Sequence, residues 1–314
     1  MILPTAKWPR YGALAGRPCL GVAITEPMPG FLFTGKDSMI EPQYLPVVIW
    51  HGRYETCCTG DVADLQNFIN TTLPGIYTHS IMLGNNEYED GLLSVNANMN
   101  EQVDCVCKQL KDNENLRNGF NAVGISQGGL FLRAYVERCN DPPVHNLITL
   151  GSPQAGASYV PFCGNEICKP QYPEQHIYLY SDEVRFRYVS AQWFKDPENI
   201  DTYLEKNIFL PDINNEYKKK NATYAKNLSS LNKFVMIQFT NDSVIIPKES
   251  AWFWFYDKDY NLIPIREQEI YHEDWIGLKK LDELGNLVFK ETVGDHLEYT
   301  LEYFKTEVLD PYLK

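Results

Sequence analysis

Several things are missing from this chain, and each absence narrows its function. No run of about 18 apolar residues occurs, so no helical transmembrane segment is expected. Positive charge is scarce: 28 Lys and Arg stand against 41 Asp and Glu, a net charge of -13. An acidic surface repels phosphate backbones and anionic headgroups, so nucleic acid is not expected as a partner, nor is an anionic membrane. Residues 1–30 lack a charged segment followed by an apolar one, so no signal peptide is read in this chain. None of the six histidines sits at zinc-ligand spacing beside the cysteines, so neither a metal site nor a cofactor is expected. The chain also carries no internal repeat and no low-complexity segment.

What is present describes a globular protein. The 314 residues are 44% hydrophobic and 13% aromatic, enough for one large α/β domain or two small ones. Eight cysteines, an even number, occur with four Asn-X-Ser/Thr triplets at Asn70, Asn221, Asn227 and Asn241. Together they favour an oxidising, glycosylating compartment. The alternative is a cytosolic enzyme with reduced, buried thiols.

Strand-like and helix-like segments alternate along most of the chain. Residues 1–45, rich in Pro and Gly, read as an irregular arm on the core. Pro46–Trp50 is a short continuous apolar run of the kind that forms a parallel strand buried on both faces. Asp61–Asn70 and Asn98–Leu110 carry apolar residues at helical spacing, with a strand over Ile76–Leu83 between them. A strand before residue 126, a helix over Gln127–Glu137 and a strand over Asn146–Leu150 continue the pattern, which implies a parallel, doubly wound sheet. The alternation breaks over 152–232, read as a largely helical insertion covering the site, and Lys218–Lys220 within it as a solvated helix face. Lys233–Phe239 resumes the sheet. Trp252–Tyr256 with Ile263–Ile270 reads as a strand pair, Leu287–Phe289 as a strand, and Leu297–Leu309 as a C-terminal helix.

The stretch Asn121-Ala-Val-Gly-Ile-Ser126-Gln127-Gly128-Gly129 stands out. Gly124-Ile-Ser126-Gln-Gly128 matches the nucleophile elbow of α/β-hydrolases, a serine on a sharp strand-to-helix turn. The glycines let helix and strand approach closely, and the N–H of Gln127 faces the space above the serine. A serine hydroxyl needs a base to take its proton and an acid to orient that base. In this fold the chain order is Ser, then Asp or Glu, then His. His296, in a glycine-bearing loop late in the chain, is the expected base, ahead of His272 in a charged stretch. Asp242 follows the strand 233–239 and would emerge at the carboxyl edge of the sheet, where ligands bind. Asp295 adjoins His296 in sequence, and neighbouring side chains rarely meet well enough to orient an imidazole. The second oxyanion donor is expected from the loop after the first strand, His51-Gly52-Arg53, as the N–H of Arg53.

These blocks resemble the lysosomal type 1 palmitoyl-protein thioesterase family over nearly all of residues 46–313. The marks are Val48-Ile-Trp-His-Gly52, Cys57-Cys58, Pro74-Gly-Ile-Tyr77, Gly124-Ile-Ser-Gln-Gly-Gly129, Ile208-Phe-Leu-Pro-Asp-Ile-Asn214, Lys233-Phe-Val-Met236, Asn241-Asp-Ser243 and Gly294-Asp-His-Leu297. The resemblance implies an α/β-hydrolase core over 46–314 and a Ser126–Asp242–His296 triad. It also implies disulfides Cys57–Cys58, Cys107–Cys139 and Cys163–Cys168, leaving Cys19 and Cys105 over with their mutual pairing open. The Asn241 sequon matches a family glycosylation position. One departure concerns the site: where the family has a Met-Gly-Asp-Ser-like run after His-Gly, this chain has Arg53-Tyr54-Glu55-Thr56.

The function so implied is hydrolysis of long-chain acyl thioesters on S-palmitoylated proteins or peptides through an acyl-serine, in a lysosome or vacuole or after secretion, by a monomer. Burying each methylene is worth about 0.8 kcal/mol, so the acyl chain would dominate affinity. Trp193, Phe194, Ile208, Phe209 and Leu210 are the candidate groove walls, the alternative for each being ordinary core. An oxygen-ester lipase and a non-catalytic acyl-binding protein are the rival functions.

Overall fold

The computed structural model describes residues 44–160 and 175–314. The expected arm therefore lies almost wholly outside the described residues, as do Cys19, Cys163 and Cys168.

Among the described residues, six parallel strands form the central sheet in the order β2-β1-β3-β4-β5-β8. They are β1 (Val47–Trp50), β2 (Thr78–Ser80), β3 (Phe120–Ile125), β4 (Val144–Leu150), β5 (Lys233–Phe239) and β8 (Leu287–Thr292), with β6 (Phe255–Tyr256) and β7 (Leu262–Ile263) pairing separately as a short antiparallel hairpin. Strands β1 and β3 are buried at every position, as expected where helices cover both faces. Alternate side chains then build two cores. Val48, Trp50, Phe120, Ala122, Leu147, Phe234 and Met236 face one, and Val47, Ile49, Val123, Ile125, Ile148, Val235 and Ile237 face the other.

The helices divide between those faces. Helix α1 (Gly60–Thr72) joins the second core through Val62, Leu65 and Ile69, together with Phe304, Val308 and Leu309 near the C-terminus. The first core takes α3 (Met99–Lys111) and α4 (Gln127–Arg138), preceded in the chain by α2 (Glu87–Leu93). A disulfide joins Cys107 of α3 to Cys139 at the end of α4, as the resemblance implied.

Helix α4 is buried on all sides, so its one internal ion pair has no access to water. Arg133 and Glu137 are both 0% exposed, 3.0 Å apart. The guanidinium also donates to the carbonyls of Gln154 and Ile213 and to Asn214 Oδ1. This pins the insertion onto α4. The insertion's described part consists of short helices: α5 (Gln175–Leu179), α6 (Asp182–Arg185), α7 (Val189–Trp193), α8 (Ile200–Lys206), α9 (Leu210–Ile213) and α10 (Ala222–Leu228). Helix α7 holds the segment before α3 through Gln192, which accepts from Met99 N–H and donates to the carbonyl of Ala97. Among the described residues, no helix is long and apolar enough to cross a membrane.

Four expected elements come out differently. Strand β2 keeps only three residues of the expected 76–83. Lys218–Lys220 is not helical; it lies in a bend, and Lys220 sits 3.2 Å from the centre of the Trp275 ring. The strand pair shrinks to β6 and β7, because Phe253 takes a φ of 63° and Pro264 offers no N–H for pairing. The C-terminal helix starts at Leu301 rather than Leu297, whose φ is 63°, and Thr300 caps it by accepting from Tyr303 N–H.

Burial outweighs the pull of Arg133 and pushes the Glu137 carboxyl from 4.5 up to about 7. The folded chain thus holds a proton that the unfolded chain releases. This stabilisation is complete below about pH 4.5 and is lost as pH rises towards 7. Melting temperature measured across that window should fall by several degrees in the wild type and fall less in Glu137→Gln.

Candidate active site

Strand β3 turns into α4 at Ser126, which holds φ 51° and ψ -126°. This sharp turn is possible because the flanking glycines leave no side chain in the way. A Cβ on Gly124 would sit 2.2 Å from Gly129 Cα, and one on Gly128 would sit 2.1 Å from the carbonyl oxygen of Trp50. Ser126 N–H donates to the carbonyl of Leu150 on β4, so the serine is tied to the next strand. Its side chain stands at the carboxyl edge of the sheet.

His296 reaches that serine from the loop after β8. Its Nε2 lies 2.9 Å from Ser126 Oγ, and its Nδ1 lies 2.7 Å from Asp242 Oδ2. Asp242 comes from the turn after β5, and its other oxygen accepts the N–H groups of Val244 and Ile245, both at 2.9 Å. Those bonds leave one carboxylate oxygen for the imidazole and fix its direction. The ring of Phe239 packs edge-on against the imidazole at 6.3 Å. The three expected residues therefore meet, although 170 residues separate Ser126 from His296 in sequence.

The two rejected candidates lie elsewhere. Asp295 accepts from the backbone N–H groups of His296 and Ser243 and from the Ser243 hydroxyl, binding the histidine loop to the aspartate loop. These donors hold its carboxyl below the usual range. His272 is exposed on a short helix and its ring lies against Tyr271.

The loop after β1 packs on the elbow. A Cβ on Gly52 would lie 3.1 Å from Ser126 Cβ. Gly52 N–H donates to Glu55 Oε2 at 2.5 Å, and its carbonyl lies 2.9 Å from His51 Nδ1. Arg53 turns its guanidinium away to the insertion, where it donates to the hydroxyl of Tyr188 and lies 5.2 Å from that ring. Gln127 begins α4, so its N–H has no acceptor within the helix. Its side-chain amide donates to the carbonyl of Ser94, whose hydroxyl accepts from Tyr54 N–H.

The candidate groove residues are mostly core. Trp193, Phe194, Phe209 and Leu210 are 3%, 2%, 0% and 0% exposed, and Ile208 is half-buried. Phe209 lies 6.2 Å from Phe131 of α4, so these rings seal the insertion to that helix. Of the sequon asparagines, Asn70, Asn221 and Asn241 are exposed, while Asn227 is half-buried and donates to the carbonyl of Glu137. Cys57 and Cys58 form the implied disulfide, and the Cys163–Cys168 and Cys19–Cys105 pairings lie outside the described residues.

A family model described as palmitoyl protein thioesterase matches residues 46–296. The chain is 38% identical over 273 residues to palmitoyl-protein thioesterase 1 of Caenorhabditis elegans, covering 85% of this chain and 91% of that one. It is 38% identical over 280 residues to palmitoyl-protein thioesterase 3 of Dictyostelium discoideum, covering 86% and 92%. This chain belongs to the palmitoyl protein thioesterase family. It is a hydrolase with the α/β-hydrolase fold. Among its relatives is also the lysosomal thioesterase PPT2 homolog of Drosophila melanogaster, 32% identical over 290 residues and covering 90% and 96%.

Two acids beside the site, one buried and one half-buried, gave no signal in the sequence. Asp90, 0% exposed, sits in the acidic run Glu87-Tyr-Glu-Asp90, which reads as a solvated helix start. Glu55 looks like an ordinary loop residue, yet burial raises its carboxyl above the usual range, against the opposing pull of the Gly52 N–H.

The glycine contacts make a sharp prediction. Gly128→Ala would drive a methyl group into the backbone carbonyls of Trp50 and His51, so it should destabilise the fold by about 3 kcal/mol and displace the serine. Gly285→Ala, in open space at φ 70°, should cost only about 1–2 kcal/mol and leave turnover intact. Denaturant melts and kcat for the two variants would check the contrast.

Proposed function

We propose that this chain is a serine thioesterase that removes long-chain acyl groups, palmitoyl among them, from S-acylated cysteines of proteins or peptides. The observation that carries the reading is the continuous chain of hydrogen bonds from Ser126 through His296 to Asp242, in a member of this family. Asp242 orients the imidazole so that Nδ1–H donates to the carboxylate and Nε2 accepts from the serine hydroxyl. As His296 takes the proton, Ser126 Oγ attacks the thioester carbonyl, and the N–H groups of Gln127 and Arg53 receive the developing oxyanion. The tetrahedral intermediate collapses with loss of the cysteine sulfur, which takes its proton from His296. Water, deprotonated by the same histidine, then hydrolyses the acyl-serine and returns the enzyme.

A thiol leaving group, with a pKa near ~8.5, needs less protonation than an alcohol or an amine, so a thioester is the least demanding substrate for these groups. The relatives' names support both the palmitoyl substrate and a lysosomal setting.

Release of palmitate from an S-palmitoyl peptide, beside an O-palmitoyl serine peptide, tests the proposal. Wild type should prefer the thioester. Ser126→Ala should lose at least about 10⁴-fold in kcat, and Asp242→Asn a comparable factor through the wrong imidazole tautomer. Equal or faster cleavage of the oxygen ester would instead make the protein a lipase. Acyl binding without turnover would make it a carrier.

A further inference from the structure

Gly52 is held at both of its hydrogen-bonding groups. Glu55 takes its N–H, and His51 Nδ1 lies 2.9 Å from its carbonyl oxygen. That carbonyl belongs to the same peptide unit as the N–H of Arg53. The peptide is trans, so its C=O and N–H point in opposite directions. Whatever grips the carbonyl on one side therefore aims the Arg53 N–H on the other.

The grip comes from a buried pair. His51 is 2% exposed and Asp90 is 0% exposed, with Nε2 of the histidine 3.1 Å from Oδ2 of the aspartate. Nδ1 is hydrogen-bonded to the Gly52 carbonyl, whereas Nε2 meets the Asp90 carboxylate as an ion-pair contact without hydrogen-bond geometry. The charge on that carboxylate favours the imidazolium. Burial works against that charge, but Asp90 overcomes it, with smaller help from the Gly52 carbonyl and from Glu55, and the histidine's pKa is raised. Asp90 is itself fixed, because its two oxygens accept the N–H groups of Cys57 and Leu83 at 2.9 and 2.8 Å. Space is tight as well: the carbonyl of His51 lies 2.6 Å from where Gly128 would carry a Cβ, so this loop cannot shift without moving the elbow.

We infer that His51 and Asp90 are positioning residues whose ion pair holds the Gly52 carbonyl and thereby aims the N–H of Arg53 at the oxyanion formed on Ser126. The inference rests on reading Ser126 as an acyl-transfer nucleophile. The imidazolium also polarises the peptide it touches, which makes the opposite N–H a stronger donor.

The test compares His51→Gln, His51→Asn and Asp90→Asn with wild type on two substrates, an S-palmitoyl peptide and p-nitrophenyl acetate. The amide nitrogen of Asn can occupy the place of Nδ1 and keep hold of the Gly52 carbonyl. That of Gln reaches towards Asp90 and releases it. On both substrates, His51→Gln should lower kcat about 10²–10³-fold with KM little changed, the effect of losing one oxyanion donor. His51→Asn should lose far less. Equal losses in the two variants, in step with their melting temperatures, would reduce the pair to a structural role and overturn the inference.

Asp90→Asn gives an independent reading, and it decides the matter should His51→Gln fail to fold. The charged groups bearing on His51 are Asp90 and Glu55. Without the Asp90 carboxylate nothing offsets the burial that disfavours the imidazolium, and the ring is no longer clamped, so kcat should fall on both substrates with KM little changed. A kcat equal to that of wild type, or a loss that only tracks the melting temperature, would overturn the inference. A wild type that is inert on the palmitoyl thioester but active on the acetate ester would reject the thioesterase reading alone, and the variants would still be judged on the ester. Inertness on both substrates would remove the nucleophile and this inference with it.

Discussion

The first turn of α4 lies so close to β1 and β3 that only hydrogen atoms fit between them, and the arrangement of the site follows from that contact. Gly124 meets Gly129, and Gly128 meets the carbonyls of Trp50 and His51. With no side chains in the way, the backbone can reverse within one residue and lift Ser126 above the sheet. The same approach brings the end of β1 against the helix start, so the two proposed oxyanion donors, Arg53 and Gln127, come from segments already in contact. Strain at the serine, with its φ of 51°, is held by strands and helix packed on every side.

Around this fixed point the mobile parts of an α/β sheet, its carboxyl-edge loops, are held by carboxylates that accept backbone N–H groups. Asp242 takes two from its own turn, Asp295 ties the His296 loop to Ser243, Asp90 joins the residues before α1 to the loop after β2, and Glu55 closes on Gly52. A buried carboxylate without donors would be expensive, whereas one that receives several is stable and stiff. The acidic residues of this chain thus serve the interior as well as its surface.

The parallel core was legible in the sequence because strands buried on both faces are continuous apolar runs, and Val47–Trp50 and Phe234–Phe239 leave little ambiguity. The chain order of Ser126, Asp242 and His296 could be read as well, since each follows a recognisable strand. Aromatic content alone does not tell a groove wall from ordinary core: Trp193, Phe194, Phe209 and Leu210, candidates for either, are buried, and Phe209 lies against Phe131 of α4. Boundaries failed where one residue left the expected backbone region, as at Leu297 and Phe253, both with positive φ. Neither residue type signals that conformation. Asp90 was invisible for another reason. Its importance comes from what lies against it in space, and the neighbouring glutamates give it the look of a solvated helix start.

Glu137, Glu55 and His51 share one property: each is held so that the folded chain keeps a proton more tightly than a free side chain would. At these three groups protons act as a ligand that prefers the native state, an effect opposed at His79, whose pKa burial lowers, and at Asp282, Asp295 and Asp310, held below the usual carboxylate range. A molecule that passed from an acidic compartment to a neutral one would lose that ligand without losing a single contact seen in its structure.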